Sequence, residues 1–239
     1  MSSTVSNQKR PTILLIAASR GLGLAMAEEF LKKGWNVVGT ARAGSDRTKL
    51  NALKEKFRGC LEVETLDICE QAQVTALRER LSGRTFEMLF VNAGITNSNE
   101  MAMIGEVTTE EFVRVMVTNA LCPMRVVEAF QDIVSANGLI GVMSSGQGSI
   151  ANNLTGMREV YRGSKAALNQ FMRSFAARDP ESSRSMVVMA PGWVRTELGG
   201  PNAHLSIEES IPNLVEVLLK KQGHAGLEYL DYLGRTVPW

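Results

Sequence analysis

Tyr161 and Lys165 are the pair whose types and spacing could do chemistry. Leu168, Phe171, Met172 and Phe175 follow at i, i+3, i+4 and i+7, the stripe of a helix packed on a core. Carried back one turn at a time, that stripe reaches Lys165 and then Tyr161. An ammonium on a core-facing stripe must be paired or face a polar cleft, because burying it alone is costly. Four residues apart, the two side chains share one helix face. The cation is expected to pull the phenol below its free pKa of about 10. A phenol so tuned is a usable general acid or base. A packed tyrosine beside a snorkelling lysine fits the same spacing.

The surrounding elements must position this pair. Ile13 to Ala18 is a continuous apolar run, as in a strand buried on both faces. The turn Ser19-Arg20-Gly21-Leu22-Gly23 follows, then a helix with Leu22, Met26 and Phe30 on one face, then a strand from Trp35 to Thr40. Such a turn aims backbone N–H groups at a site where a phosphate could sit. The alternation continues with a helix from Asp46 to Phe57, a strand from Leu61 to Leu66, a helix marked by Val74, Leu77 and Leu81, and a strand from Phe86 to Val91. Thr108 and Glu111 predict a capping box, opening a helix with Phe112, Val115, Met116 and Asn119 on one face. Pro123 should interrupt that helix just beyond Asn119. Phe130, Ile133 and Val134 extend its apolar face to Asn137-Gly138. Further strands are expected at Leu139 to Met143, Met186 to Ala190 and after Leu227. Ser206 and Glu209 suggest a last capping box, although Pro212 then falls inside the helix, which either starts nearer Ser210 or is kinked.

The fold class expected is α/β: one doubly wound parallel sheet of about seven strands with helices on both faces, spanning 11–239, after a disordered tail at 1–10. Hydrophobic residues make up 44% and charged residues 21%, an ordinary soluble composition. A net charge of +1 points to neither nucleic acid nor an acidic membrane surface. Three cysteines without Cys-x-x-Cys spacing fit free thiols in a reducing, cytoplasmic setting and no metal site. The apolar runs near the start are too short to span a bilayer.

In such a sheet, ligands bind beyond the carboxyl ends of the strands. The unusual residues all fall there: Gly21 and Gly23 after the first strand, Asp67 after the third, Asn92 and Gly94 after the fourth, Ser145 after the fifth, Pro191 and Gly192 after the sixth. Together with Asn119, Tyr161 and Lys165, these resemble the motifs of the short-chain dehydrogenase/reductase family over nearly the whole chain. Tyr161 to Lys165 is similar to the Tyr-x-x-x-Lys motif, with Ser164 before the lysine. Ser145-Gly146-Gln147-Gly148 is similar to its serine followed by x-x-Gly, and Asn92-Ala93-Gly94 to its Asn-Ala-Gly. Pro191, Gly192 and Thr196 resemble its Pro-Gly turn. The ending Gly234 to Trp239 is similar to that of C-factor and sniffer-type carbonyl reductases. The cofactor turn departs from the family's Thr-Gly-x-x-x-Gly-x-Gly, with Ile16 and Ala17 at its first two positions. The Ala17 methyl is expected to crowd the turn or displace the adenosine.

The resemblance implies hydride transfer between a nicotinamide and a small-molecule carbonyl or secondary alcohol. It implies that Tyr161 exchanges the proton, Lys165 lowers its pKa and bonds the nicotinamide ribose, Ser145 holds the substrate oxygen, and Asn119 holds a water that relays protons to Lys165. Cofactor contacts are implied for Ala18, Ser19, Arg20, Gly21, Leu22, Gly23, Arg42, Asp67, Ile68, Asn92, Ala93, Gly94, Tyr161, Lys165, Pro191, Gly192, Val194 and Thr196. NAD-binding relatives carry an acidic residue near position 41. Here Ala41 stands there, with Arg42 beside it and Arg20 in the turn, which favours NADP(H) over NAD(H) unless both arginines are ordinary surface charges. Segments 95–103, 147–157 and 193–205 are expected to line the substrate pocket. Their Met101, Met103, Met157 and Trp193 suggest an apolar wall, and no basic cluster in them points to an acidic substrate. A homodimer or homotetramer paired through the Asn119 and Tyr161 helices is a further implication. The alternative is an NADP(H)-binding redox sensor or signalling protein without turnover.

Overall fold

The computed structural model describes residues 10–239. The expected tail at 1–10 lies outside these apart from Arg10. The described residues form a seven-stranded parallel sheet of order β3-β2-β1-β4-β5-β6-β7. The strands are β1 (Thr12–Ile16), β2 (Asn36–Ala41), β3 (Leu61–Thr65), β4 (Phe86–Val91), β5 (Val134–Met143), β6 (Ser185–Ala190) and β7 (Gly226–Asp231). Helices α1 (Gly21–Lys32), α2 (Thr48–Lys56), α3 (Gln71–Arg80), α4 (Thr109–Met116), α5 (Cys122–Phe130), α6 (Glu159–Ala177) and α7 (Ile207–Lys221) connect them. Strand order reverses between β1 and β4, which opens the crevice where ligands sit in such sheets.

The apolar runs are continuous because each strand feeds two cores. Leu14 and Ile16 pack with Val127, Phe130, Leu168 and Met172 on one face. Ile13 and Leu15 pack with Met26, Phe30, Leu214 and Leu218 on the other. Alternate side chains of a strand point to opposite faces, so both sets must be apolar.

Four local expectations need correction. Phe112 and Phe171 are 40% and 45% exposed, so they leave the core stripes that Val115, Leu168, Met172 and Phe175 keep. Val134 opens β5 and pairs with Phe86, and a register shift follows before Met88 meets Leu139. Its apolar spacing continued the helix pattern, but a short apolar run fits a strand equally well. Thr108 does accept from the Glu111 N–H at 3.3 Å, while the Glu111 carboxylate turns to Ser98 N at 2.5 Å and to Arg114, so the box is half formed. The interruption at Pro123 arrives earlier than expected: Val117–Leu121 is a π-helical turn with Asn119 at its middle. At the other end of the chain, the Ser206–Glu209 box is reciprocal and α7 carries Pro212 inside it.

Candidate active site

The turn after β1 is held by side chains from neighbouring strands. Ala17 N donates to Thr40 Oγ1 at 2.9 Å, and Asn92 Nδ2 donates to the Ala17 carbonyl at 3.1 Å. Ala17 has φ of 65°, the left-handed region, so alanine replaces the family's glycine where glycine is most at ease. The methyl therefore strains the backbone. Gly23 is required by close approach, since a Cβ there would lie 2.1 Å from the Ala17 carbonyl oxygen. Helix α1 starts at Gly21 with Arg20 at its N-cap, makes no side-chain cap bond there and has no acidic residue in its first turn. Its N–H groups fit an anionic phosphate.

Tyr161, Lys165, Asn119 and Ser145 converge as expected. Tyr161 and Lys165 are 6% and 2% exposed, and Lys165 Nζ lies 6.0 Å from the Tyr161 ring centre. Lys165 Nζ donates to the Met143 carbonyl at 3.0 Å, and burial pulls its pKa down to about 8. Gly94 brings the segment after β4 against this group: a Cβ there would stand 3.1 Å from Lys165 Nζ and 3.6 Å from Asn119 Oδ1.

Asn119 is fully enclosed and fully used. Its Oδ1 accepts from Ile95 N at 2.8 Å, and its Nδ2 donates to the Ile95 carbonyl at 2.8 Å and to Ser164 Oγ at 2.9 Å. Its amide therefore ties the segment after β4 to α6. Within the π turn the Cys122 N–H goes to the Val117 carbonyl. Pro123 has no N–H, so the Thr118 and Asn119 carbonyls both lose their ordinary i+4 donors.

Ser145 Oγ accepts from Gln147 N at 3.1 Å, and the Ser145 hydroxyl lies near enough to Tyr161 to favour the ionised phenol. The serine thus caps its own turn while reaching the phenol. The Tyr161 pKa is raised, contrary to expectation. Burial pushes it up, the Ser145 hydroxyl and Arg158 pull it down, and Glu100 pushes it up again. Spacing alone gave the sign of the lysine's charge and missed the larger cost of burying a phenolate.

The remaining candidates are placed as follows. Ala18 is buried and its N–H donates to the Thr40 carbonyl at 2.8 Å, and Ser19 in the turn and Leu22 in the first turn of α1 are half-buried. Arg20 pairs with Glu197 at the surface, and Arg42 is exposed at the end of β2. Asp67 Oδ1 accepts from Cys69 N at 3.0 Å, and Ile68 is buried in the core. Asn92, Ala93 and Gly94 follow β4 directly. The Pro191 carbonyl accepts from Ser210 Oγ at 2.6 Å, Gly192 has φ of 84°, and Val194 is buried and bridged to Leu205. Thr196 Oγ1 accepts from Gly199 N at 3.0 Å, so its hydroxyl is engaged in its own turn.

Sequence reasoning missed four residues. Arg158 stacks its guanidinium 4.9 Å from the Tyr161 ring centre. Arg47 donates to the Ala41 and Arg42 carbonyls and to Thr65 Oγ1, fixing the strand ends near Arg42. Asn169 accepts from Ser144 Oγ at 2.6 Å and donates to the Gly148 carbonyl at 3.2 Å, and the Tyr229 hydroxyl donates to the Ser145 carbonyl. Asn169 could have been found as the next helical turn after Lys165.

Known proteins resemble this chain in sequence and in fold. A family model described as short chain dehydrogenase matches residues 11–204. A short-chain dehydrogenase/reductase from Burkholderia multivorans, solved with bound NADP, is 65% identical with a TM-score of 0.95, over 97% of this chain and 100% of that one. A carbonyl reductase from Pseudomonas aeruginosa in complex with NADP is 35% identical with a TM-score of 0.89, over 97% of this chain and 100% of that one. The C-signal protein of Myxococcus xanthus is 33% identical over 155 residues, which is 64% of this chain and 92% of that protein. With a parallel sheet of this order and these motifs at its carboxyl edge, the chain belongs to the short-chain dehydrogenase/reductase family.

Proposed function

We propose that the protein is an NADP(H)-dependent oxidoreductase that interconverts a carbonyl and a secondary alcohol, with Tyr161 as the general acid and base. The observation that carries this reading is the burial of Tyr161, Lys165 and Asn119 together, with half-buried Ser145 near the phenol, in a chain whose first helix has an uncapped N-terminus. When bound, the nicotinamide supplies or accepts the hydride.

The residues do the rest. Burial keeps the Tyr161 phenol protonated at neutral pH, ready to give its proton to a carbonyl oxygen during reduction. The Ser145 hydroxyl, near the Tyr161 phenol, would hold that same oxygen as charge develops. Lys165 keeps a positive charge near the phenol below its pKa of about 8. The Thr118 and Asn119 carbonyls, short of helical donors, offer a seat for a water that returns protons toward Lys165. Arg20 and Arg42 favour a 2′-phosphate, and Glu197 on Arg20 sets the competition that phosphate must win.

Met101, Met103, Met157 and Trp193 are 55%, 70%, 50% and 47% exposed, which supports an apolar and adaptable substrate. Exposed Phe112, Val113, Leu121 and Phe171 support a homodimer or homotetramer paired through α4 and α6. No helix among the described residues is long and apolar enough to cross a membrane. A second reading, cofactor binding for signalling without turnover, draws on the likeness to C-signal and on the strained Ala17 turn.

The test is NADPH consumption, followed by absorbance, with a panel of aliphatic and aromatic ketones, aldehydes and quinones. Turnover with NADPH well above that with NADH supports the reading. Binding of NADP without turnover of any carbonyl leaves the signalling alternative.

A further inference from the structure

Arg158 occupies an unusual position. It is the residue just before α6, and its backbone is left-handed, with φ of 63° and ψ of 43°. A non-glycine residue there is strained, so the surroundings must hold it. Two contacts do so. Its guanidinium lies 4.9 Å from the Tyr161 ring centre, closer than Lys165 at 6.0 Å. Glu100 Oε2 stands 2.8 Å from Nη2, and the Arg158 side chain is 16% exposed. Neither Nε nor Nη2 has a hydrogen-bond partner, so Glu100 meets the guanidinium as a charge rather than along an N–H direction.

Glu100 belongs to the 95–107 segment, which is docked on α6 a second time. Ile104 N donates to Glu159 Oε2 at 2.6 Å, one residue from Arg158. The segment that carries the acid is therefore fixed against the helix that carries the phenol.

We propose that the Arg158–Glu100 pair is a second electrostatic control on Tyr161, with Arg158 favouring the ionised phenol and Glu100 restraining it. A cation over an aromatic face is attracted to it, and more strongly when the ring carries negative charge. The groups facing the phenol are Arg158 and Lys165 from its own helix region, Glu100 from 95–107, Ser145 from the turn after β5, and Tyr229 from β7. Of these, Arg158 and Glu100 carry opposing charges and lie on separate segments. Arg158 is thus a positioning residue acting through Tyr161. Any movement of 95–107 that withdraws Glu100 makes the phenol a stronger acid. The catalytic meaning rests on Tyr161 being the proton donor; the effect on the phenol does not.

The experiment is a pH titration of NADP⁺-saturated protein labelled with 13Cζ-tyrosine, followed by NMR. The chain has three tyrosines, Tyr161, Tyr229 and Tyr232, and Tyr161→Phe identifies the resonance. Arg158→Met should raise the Tyr161 midpoint by about one pH unit. Arg158→Lys should restore most of the difference, and Glu100→Gln should lower the midpoint below wild type. Unchanged Tyr229 and Tyr232 resonances show that the fold is intact. An Arg158→Met midpoint equal to or below wild type overturns the proposal. So does a Glu100→Gln protein that titrates no earlier than wild type, which decides the matter if Arg158→Met does not fold. Because the resonance is read without turnover, failure here is separate from failure of the oxidoreductase reading, which the NADPH assay reports.

Discussion

Lys165 Nζ stands 6.0 Å from the centre of the Tyr161 ring and gives its hydrogen bond to the Met143 carbonyl at 3.0 Å. The lysine reaches over the phenol's face to the end of β5. Its influence on Tyr161 is one of charge across a short gap, and that charge is itself conditional. Burial brings the lysine to about pH 8, where its proton is easily lost.

The first prediction concerns pH. Lys165 is cationic below about 8 and neutral above it. Carbonyl reduction should therefore hold steady below that value and fall about tenfold per unit above it, since both the cation and the proton supply are lost. Measuring kcat for NADPH-dependent reduction from pH 6 to 10 checks this. A rate that keeps rising through pH 9 would contradict it.

Lys165 should also cost stability. A folded pKa of about 8 against an ordinary 10.5 corresponds to about 3 kcal/mol of unfavourable burial at neutral pH. The folded protein sheds this proton before the unfolded chain does, so this group's penalty shrinks as pH rises from 8 to 10.5. Lys165→Met removes the penalty but leaves the Met143 carbonyl without its donor, an opposing cost of about 1–3 kcal/mol. The variant should melt at or above the wild-type temperature while losing turnover, measured by calorimetry at pH 7. A clear fall in Tm would show that the buried ammonium is not a burden.

Ala17 is strained and glycine is its remedy. Relief of a left-handed alanine is worth about 1–2 kcal/mol, against about 0.5–1 kcal/mol of added chain entropy for glycine. Ala17→Gly should raise Tm by about 1–3 °C. It should also tighten NADP binding, as measured by calorimetric titration. A loss of stability would mean that the methyl contributes packing that outweighs the strain.

Cofactor preference should reside in Arg20 and Arg42. Replacing either with alanine should raise KM for NADPH about tenfold, the loss of one charge-assisted phosphate contact, and change KM for NADH little. Steady-state kinetics with both cofactors checks this. Equal effects on both would assign the arginines to the surface alone.

Much of the fold and of the site could be read from the residues, for definite reasons. A strand buried on both faces leaves an uninterrupted apolar run, so β1 and β4 stand out, and the helical stripe through Tyr161, Lys165, Leu168 and Met172 survives folding. Short apolar runs are ambiguous, which is why Val134 looked helical and proved to open β5. Surface stripes are ambiguous too, as exposed Phe112 and Phe171 demonstrate. Arg158 lies one residue beyond the 147–157 segment expected to line the pocket, and only the docking of 95–107 brings Glu100 to it. The direction of the Tyr161 shift could not be read from spacing, because burial outweighs the neighbouring charges and depends on the whole fold.

The most direct measurement is the rate of carbonyl-dependent NADPH consumption by wild type and by Tyr161→Phe. The wild type should turn over at least one compound of the panel, and the variant should lose about 10²–10⁴ in kcat while still binding NADP. A variant that keeps the wild-type rate would contradict the assignment of the proton to the Tyr161 hydroxyl.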